Sequence, residues 1–435
     1  MYTALQGLRG HPVSRFVRQL QAWEKLPLPE FDRQNAERLR LMLAHARDRV
    51  PLYRTGPWAT ALSGADAGLE AWPLLERDVL RARAEELRAV PMPPRIVTKR
   101  TSGSTGKPVR IPWTREAETW WWAHRYRALL WHGIPIGISS LRLSQHKRAL
   151  RDLLLGQRCV PVLHASGAVE QAVRFLAEKQ PPLVMGPPSA LFYLARGLRE
   201  LGIRRPLAPF ARVGGEQLFA FQRAEIERYL GARVIDSYGC TEIGAIAGEC
   251  SAGSLHVCAD HVVCEIFKGD APAAPGEIGD IVLTALHNPA MPLIRYRLGD
   301  RGRVSPERCR CGLPHPVLMD VQARAAETIR AADGSLRHGS ELLSRMGSFF
   351  ADPAADVVRQ FQFVQKDPRT WQVLVEIRQP GSLSVAAGAR LAGIVREVFG
   401  AECAIATHVV DWIRRDSGKY GYYRIICHAQ SVETA

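Results

Sequence analysis

The stretch at residues 101–109, TSGSTGKPV, is built to curl its backbone around a polar, negatively charged group. Gly103 and Gly106 let successive N–H groups turn toward a ligand. Thr101, Ser102, Ser104 and Thr105 add hydroxyls, and Lys107 adds a mobile positive charge. A Walker A loop would need glycine at position 101 and a hydroxyl at 108, where this chain has Thr101 and Pro108. The segment therefore reads as a phosphate loop of another kind. A Ser/Gly linker has the same composition, so only the rest of the chain separates the two readings.

Three more segments come after it in order. In DSYGCTEIG (236–244), Val234 and Ile235 lead like a strand into a turn that offers Tyr238, Thr241 and Glu242. A carboxylate such as Glu242 beside a phosphate loop suits Mg2+, which favours one or two carboxylates plus phosphate oxygens. MPLIRYRLGD (291–300) closes on Asp300, an acceptor for ribose hydroxyls. DSGKYGYYR (416–424) sets Lys419 after a Ser-Gly turn.

With GGEQL (214–218), LHNPAMPLIRYRLGD (286–300) and CRCGLPHP (309–316), this ordered set resembles the core motifs of the adenylate-forming superfamily of acyl-CoA synthetases, adenylation domains and luciferases. The closer likeness is to its phenylacetate–CoA ligase and CapK-like branch, and it spans most of the chain. The resemblance implies an α/β fold. A large N-terminal domain (1–322), with doubly wound sheets and a small β subdomain, binds ATP and acid. A small mobile α+β lid (323–435) carries Lys419. It also implies roles. Thr101, Ser102, Gly103, Ser104, Thr105, Gly106 and Lys107 would cradle pyrophosphate. Thr241 and Glu242 would hold Mg2+ against the α-phosphate. Gly214, Gly215, Glu216, Asp236, Ser237, Tyr238 and Gly239 would line the nucleotide, and Asp300 would fix the ribose. Arg324 lies at the hinge, and Lys419 would bridge the attacking carboxylate and the phosphate. The implied activity is conversion of a carboxylic acid, with an aromatic one favoured by Trp120, Trp121 and Trp122, to an acyl-AMP. Transfer to CoA or to a carrier-protein phosphopantetheine would come next.

The chain departs from that pattern in three places. Leu298 stands where relatives carry threonine before the Gly-Asp of the ribose motif. The hinge reads Ala323-Arg324-Ala325-Ala326-Glu327 without the usual glycine. AADGSLRHGSELL (331–343) replaces the glycine-rich loop that helps seat pantetheine. The acceptor therefore stays open among CoA, a carrier protein and an amine, and a catalytically silent nucleotide-binding partner is the remaining alternative. Lys107, Glu242, Asp300 and Lys419 all argue for chemistry.

The formal charge of +15 is carried by arginines scattered along the chain, not by one basic run. With no helix-turn-helix, RNA-recognition or basic-tail signature, nucleic acid is not an expected partner. A diffuse positive field suits ATP, CoA or an acidic acyl carrier protein; a homodimer is left open. The opening residues are charged and amphipathic, without the apolar core of a signal peptide, and no segment has the ~20 apolar residues of a membrane span. A soluble cytoplasmic enzyme is the expectation.

Nine cysteines without a secretory segment need not pair. Cys250, His256, Cys309 and Cys311 form a donor set suited to structural Zn2+, although C-x-C is tighter than most zinc spacings. The resembled branch carries a similar set that binds zinc in some members.

The coarse pattern predicts helices across 13–50, broken at Pro27 and Pro29, and again over 76–87 and 115–132. Alternating strand and helix segments from 139 to 212 (strands at 161–163 and 183–185, helices at 168–178 and 189–201) predict a parallel doubly wound sheet. Short strands are expected after Asp260. A βαβ unit is expected beyond Asp352, from strands at 360–365 and 371–377, a helix at 391–399 and a strand at 404–410.

Overall fold

Proline placement sets the first boundaries. Helix α1 (Val13–Trp23) buries Val13, Val17 and Leu20 along one stripe. It ends before Pro27, which precedes α2 (Leu28–Arg49). Pro29 does not break the chain a second time: it lies in the first turn of α2, where the N–H it lacks would have no helical partner anyway. The computed structural model describes residues 12–62, 68–101, 108–143, 157–160, 168–203, 205–322, 328–378, 381–411, 413 and 423–425. These fall into two compact units, residues 1–138 with 235–324 and residues 139–234 with 325–435.

The first unit continues with α3 (Gly56–Ala61) and α4 (Arg77–Ala82). The helix expected over 76–87 is therefore shorter. Beyond Ala82 the backbone pairs with distant partners: Glu86 O accepts from Leu52 N–H, and Ala89 N–H donates to Ala290 O. Strands β1 (Ile96–Arg100) and β2 (Arg110–Thr114) form an antiparallel hairpin. Thr114 then caps α5 (Arg115–Leu130), its Oγ1 accepting from Ala117 N–H at 3.0 Å.

The second unit opens with β3 (Ser140–Leu143), β4 (Gln157–Val160), α6 (Ala168–Lys179), β5 (Leu183–Gly186), α7 (Pro188–Glu200), β6 (Phe210–Val213), α8 (Ala220–Leu230) and β7 (Arg233–Ile235). The sheet order is β4-β3-β5-β6-β7, with β3 parallel to both β4 and β5, and β5 parallel to β6. This is a doubly wound order. The strand expected at 161–163 lies earlier, at Gln157–Val160, and 161–163 themselves lie outside the described residues.

Back in the first unit come β8 (Ser237–Cys240), β9 (Gly244–Glu249), β10 (Leu255–Val257), β11 (Val262–Lys268), β12 (Ala271–Pro272), β13 (Gly279–Ala285), β14 (Tyr296–Val304) and β15 (Val317–Gln322). The short strands expected after Asp260 thus belong to an eight-stranded sheet, β12-β11-β13-β14-β15-β10-β9-β8, which also takes in β8 to β10. Every pairing in it is antiparallel. Its core runs from Leu52, Trp72 and Trp113 to Ile246, Leu283, Tyr296 and Leu298.

The second unit closes with the hairpin β16 (Thr328–Arg330) and β17 (Leu336–His338), then α9 (Ser340–Phe350), β18 (Val358–Asp367), β19 (Thr370–Ile377), α10 (Val385–Phe399), β20 (Ala404–Val410) and β21 (Tyr423–Ile425). β19, α10 and β20 make the expected βαβ unit, β20 pairing parallel to β19. Phe192 of α7 and Phe221 of α8 share one core with Phe350, Phe361 and Phe363.

Candidate functional site

The TSGSTGKPV segment connects β1 to β2. Arg100 pairs with Arg110 in the ladder. Beyond it Thr101 N–H donates to Val109 O at 3.1 Å, and Val109 N–H donates to Thr101 Oγ1 at 2.9 Å. Thr101 thus closes the neck of the loop. Ser102, Gly103, Ser104, Thr105, Gly106 and Lys107 lie outside the described residues, as do Arg324 and Lys419.

The DSYGCTEIG segment is β8 and the turn from it into β9, a turn that two glycines make possible. A Cβ on Gly239 would sit 2.3 Å from Gly244 O, so the two strands approach too closely for any side chain there. Gly244 takes φ +98, and a Cβ on it would meet Trp113 and Trp121 at 2.9 Å. Glu242 is buried within this turn, at 5% exposure. The turn is pinned from behind by His261, whose Nε2–H donates to Ile243 O at 3.0 Å. Asp236 N–H donates to Glu249 Oε2 at 2.8 Å, and Ser237 N–H donates to Asp236 Oδ1 at 2.7 Å.

Tyr238 and Asp300 are brought together, the tyrosine hydroxyl donating to Asp300 Oδ2 at 2.7 Å. Burial, then the Asp300 carboxylate, hold the Tyr238 hydroxyl well above the ordinary tyrosine range, so it stays a donor. Leu298 is fully buried in the sheet core, so the position that bears threonine in the resembled motif packs as a hydrophobic residue here. The arginines of the same motif are structural. Arg295 forks onto Glu265 (2.7 Å) and donates to the carbonyls of Glu70 and Trp72; Arg297 pairs with Glu76 and Asp270.

In the second unit Gly214, Gly215 and Glu216 come directly after β6, at the carboxyl end of the parallel sheet where ligands bind such folds. Glu216 Oε2 accepts from Ser189 N–H at 3.3 Å, in the first turn of α7, a favourable place for an acid.

Cys250, His256, Cys309 and Cys311 converge, with ligand atoms all within 4.8 Å of one another. Cys250 Sγ lies 3.9 Å from Cys309 Sγ, and Cys311 Sγ lies 3.2 Å from His256 Nε2. Tetrahedral zinc with ~2.3 Å Zn–S bonds needs sulfurs ~3.8 Å apart. His256 Nδ1–H donates to His315 O at 2.8 Å, which fixes the tautomer and leaves Nε2 facing the sulfurs. Burial raises the Cys309 thiol, yet the Ser254 hydroxyl and the Cys311 amide outweigh it and bring Cys309 down to about 6. The donor set fits Zn2+.

No family model matches the chain. Phenylacetate-coenzyme A ligase of Thermus thermophilus is 28% identical over 332 residues, 70% of this chain and 73% of its own length. The Escherichia coli enzyme of the same name is 29% identical over 312 residues, 66% of this chain and 70% of its own. A solved 2-hydroxyisobutyryl-CoA ligase, captured in the postadenylation state with 2-HIB-AMP, shares the fold at a TM-score of 0.74 and 19% identity, over 92% of this chain and 90% of its own. The chain is thus similar in sequence to phenylacetate–CoA ligases and shares the fold of an adenylate-forming CoA ligase.

Two features of the chain carry no signature in the sequence motifs. Glu249, which holds the Asp236 amide, sits at the end of β9, outside the DSYGCTEIG segment. Lys99, two residues before the loop neck, lies over Trp121 (3.5 Å) and Trp113 (4.3 Å). Its charge in an otherwise ordinary strand is the one signal that points to it. Trp120, by contrast, is core. It stacks on Trp23 (5.3 Å) and His287 (4.5 Å), while Trp121 and Trp122 are half-buried.

Proposed function

We propose that the chain is an AMP-forming acid–thiol ligase that activates an aromatic carboxylic acid with ATP, releases pyrophosphate and passes the acyl group to CoA. One observation carries the reading: the Tyr238–Asp300 bond ties the turn bearing Thr241 and Glu242 to the strand bearing the ribose acceptor. In-line attack of a carboxylate on the α-phosphate spreads negative charge over phosphate oxygens, and catalysis consists of meeting that charge with placed donors. Residues 101–107 wrap pyrophosphate. Tyr238 and Gly239, with Gly214, Gly215, Glu216, Asp236 and Ser237, line the nucleotide, and Asp300 accepts from ribose. Lys419, on a lid of residues 323–435 hinged at Arg324, places a point charge between carboxylate and phosphate. Mg2+, when bound by Glu242 and Thr241, neutralises phosphate charge. Zn2+ at Cys250, His256, Cys309 and Cys311 fastens two loops and takes no part in the chemistry.

A carrier-protein or amine acceptor is the second reading. It is favoured by the hairpin that replaces the pantetheine-seating loop, where Ala331 N–H donates to Ser335 O across a tight turn at Gly334.

ATP–pyrophosphate exchange across a panel of aromatic and aliphatic acids tests the first step, and acceptor dependence (CoA, holo-carrier protein, amines) tests the second. Lys419→Ala is expected to abolish exchange while leaving ATP binding nearly intact. Wild-type exchange in that variant removes Lys419 from its role.

A further inference from the structure

A second histidine cluster lies in the first unit, apart from the cysteine set. His124 on α5, His261 just before β11 and His287 just after β13 place ring nitrogens within 4.8 Å of one another. Two of them carry the arrangement typical of metal ligands. His261 Nε2–H donates to Ile243 O and His287 Nε2–H donates to Asp260 O at 2.8 Å, so in each the carbonyl fixes the tautomer and Nδ1 presents its lone pair. Among the described residues, the His261 Nδ1 and both nitrogens of His124 have no hydrogen-bond partner, although His261 is 2% and His124 1% exposed. Unpaired polar atoms at such depth are costly. A carboxylate stands beside His124. Asp260 is fully buried; its Oδ2 takes the Arg127 guanidinium at 2.5 Å, while its Oδ1, without a hydrogen-bond partner among the described residues, lies 3.7 Å from His124 Nδ1.

We propose that His124, His261 and His287 form a buried site for a divalent transition-metal ion of the zinc class, with the Asp260 carboxylate beside His124. Imidazole-rich donor sets suit Zn2+, Co2+ and Ni2+ over Mg2+ or Ca2+. Small side-chain rotations bring the nitrogens to the ~3.4 Å separations that ~2.1 Å Zn–N bonds require. The ion joins α5, the approach to β11 and the exit of β13. Because His261 also grips Ile243 O, it braces the turn that carries Glu242.

Co2+ uptake by the full chain, counted by elemental analysis after dialysis, tests the site. Wild-type protein should take a second equivalent beyond the one bound by the cysteine set. Cys309→Ser/Cys311→Ser should keep one equivalent, with visible d–d absorption but without near-ultraviolet thiolate charge transfer. His124→Gln/His287→Gln should lose that equivalent and retain the charge-transfer bands. A wild-type chain holding a single equivalent, with thiolate charge transfer, overturns the proposal whatever the variants do. So does a folded cysteine-site variant that binds none, or a histidine variant with undiminished uptake; in those cases water fills the pocket. The readout is independent of ligase activity, so it stands apart from the functional assignment.

Discussion

Among the described residues, each unit encloses one arginine almost completely, and the two are treated in opposite ways. Arg196 in the second unit is 1% exposed and its fork is occupied: Nε donates to Val358 O (2.9 Å), Nη1 to Glu225 Oε2 (2.8 Å), and Nη2 to Ala355 O (2.7 Å) and Asp356 O (2.8 Å). Arg127 in the first unit is 0% exposed and has one good bond, to Asp260. Among the described residues its Nη2 lacks a partner, and its Nε approaches Glu24 at 3.3 Å. A buried charge with every donor used is a structural joint. A buried charge in a half-satisfied network is costly. Arg196 joins α7 to the chain that enters β18, whereas Arg127 stands beside the three histidines.

The largest expected effect breaks the joint. Arg196→Met leaves the Glu225 carboxylate and three carbonyls buried without their donor, and should cost about 3–5 kcal/mol in denaturant unfolding. Arg359→Met is the control in the same unit: its Glu200 pair is partly exposed and should be worth about 1 kcal/mol or less. Equal losses in the two variants would dissolve the contrast. Arg127→Met comes next, at about 3 kcal/mol in metal-free protein, because Asp260 loses its cation. Added zinc should recover at least half of that loss by giving Asp260 another positive partner, and should recover nothing in Arg196→Met.

A smaller effect concerns the nucleotide site. Tyr238→Phe removes a hydrogen bond to an ionised carboxylate, worth about 1.5 kcal/mol, so the KM for ATP should rise about tenfold with folding little changed. An unaltered KM would mean that the ribose contact proposed for Asp300 does not depend on Tyr238.

The contrast between the arginines also marks what the sequence made legible. The elements obeyed their local signals. Pro27 and the Thr114 cap set helix ends, β-α alternation gave the parallel sheet, and Cys250, His256, Cys309 and Cys311 met as their chemistry suggested. Tyr238 and Asp300 are far apart in sequence, and only the family resemblance joined them. Other features left no local trace. The helix after Arg77 stops at Ala82, and the chain beyond it turns locally while Glu86 O accepts from Leu52 N–H, a contact set by a tertiary neighbour. Likewise, nothing in the spacing of His124, His261 and His287 marks a cluster, because three separate elements bring them together. Arg127 and Arg196 are equally anonymous in an arginine-rich chain, and burial alone distinguishes them from the exposed majority.

The smallest effect lies at Lys99, a cation intermediate in character between the two arginines. Its ammonium has no hydrogen-bond partner among the described residues, sits over two tryptophans and reaches Glu118 only at 3.7 Å. Burial is the main force on it; Glu118 pulls up and Arg125 pushes down, and the balance leaves it at about 8. The unfolded chain, at the ordinary lysine value, therefore binds more protons than the folded one between pH 8 and about 10.5. The penalty is fully present below pH 8 and is relieved as pH rises through that window, so wild-type stability should climb relative to Lys99→Met by about 1 kcal/mol between about pH 7.5 and 9. Parallel stability curves for the two proteins would show that cation–π contact and Glu118 satisfy the charge in full. Lys99 would then group with Arg196 as a settled joint.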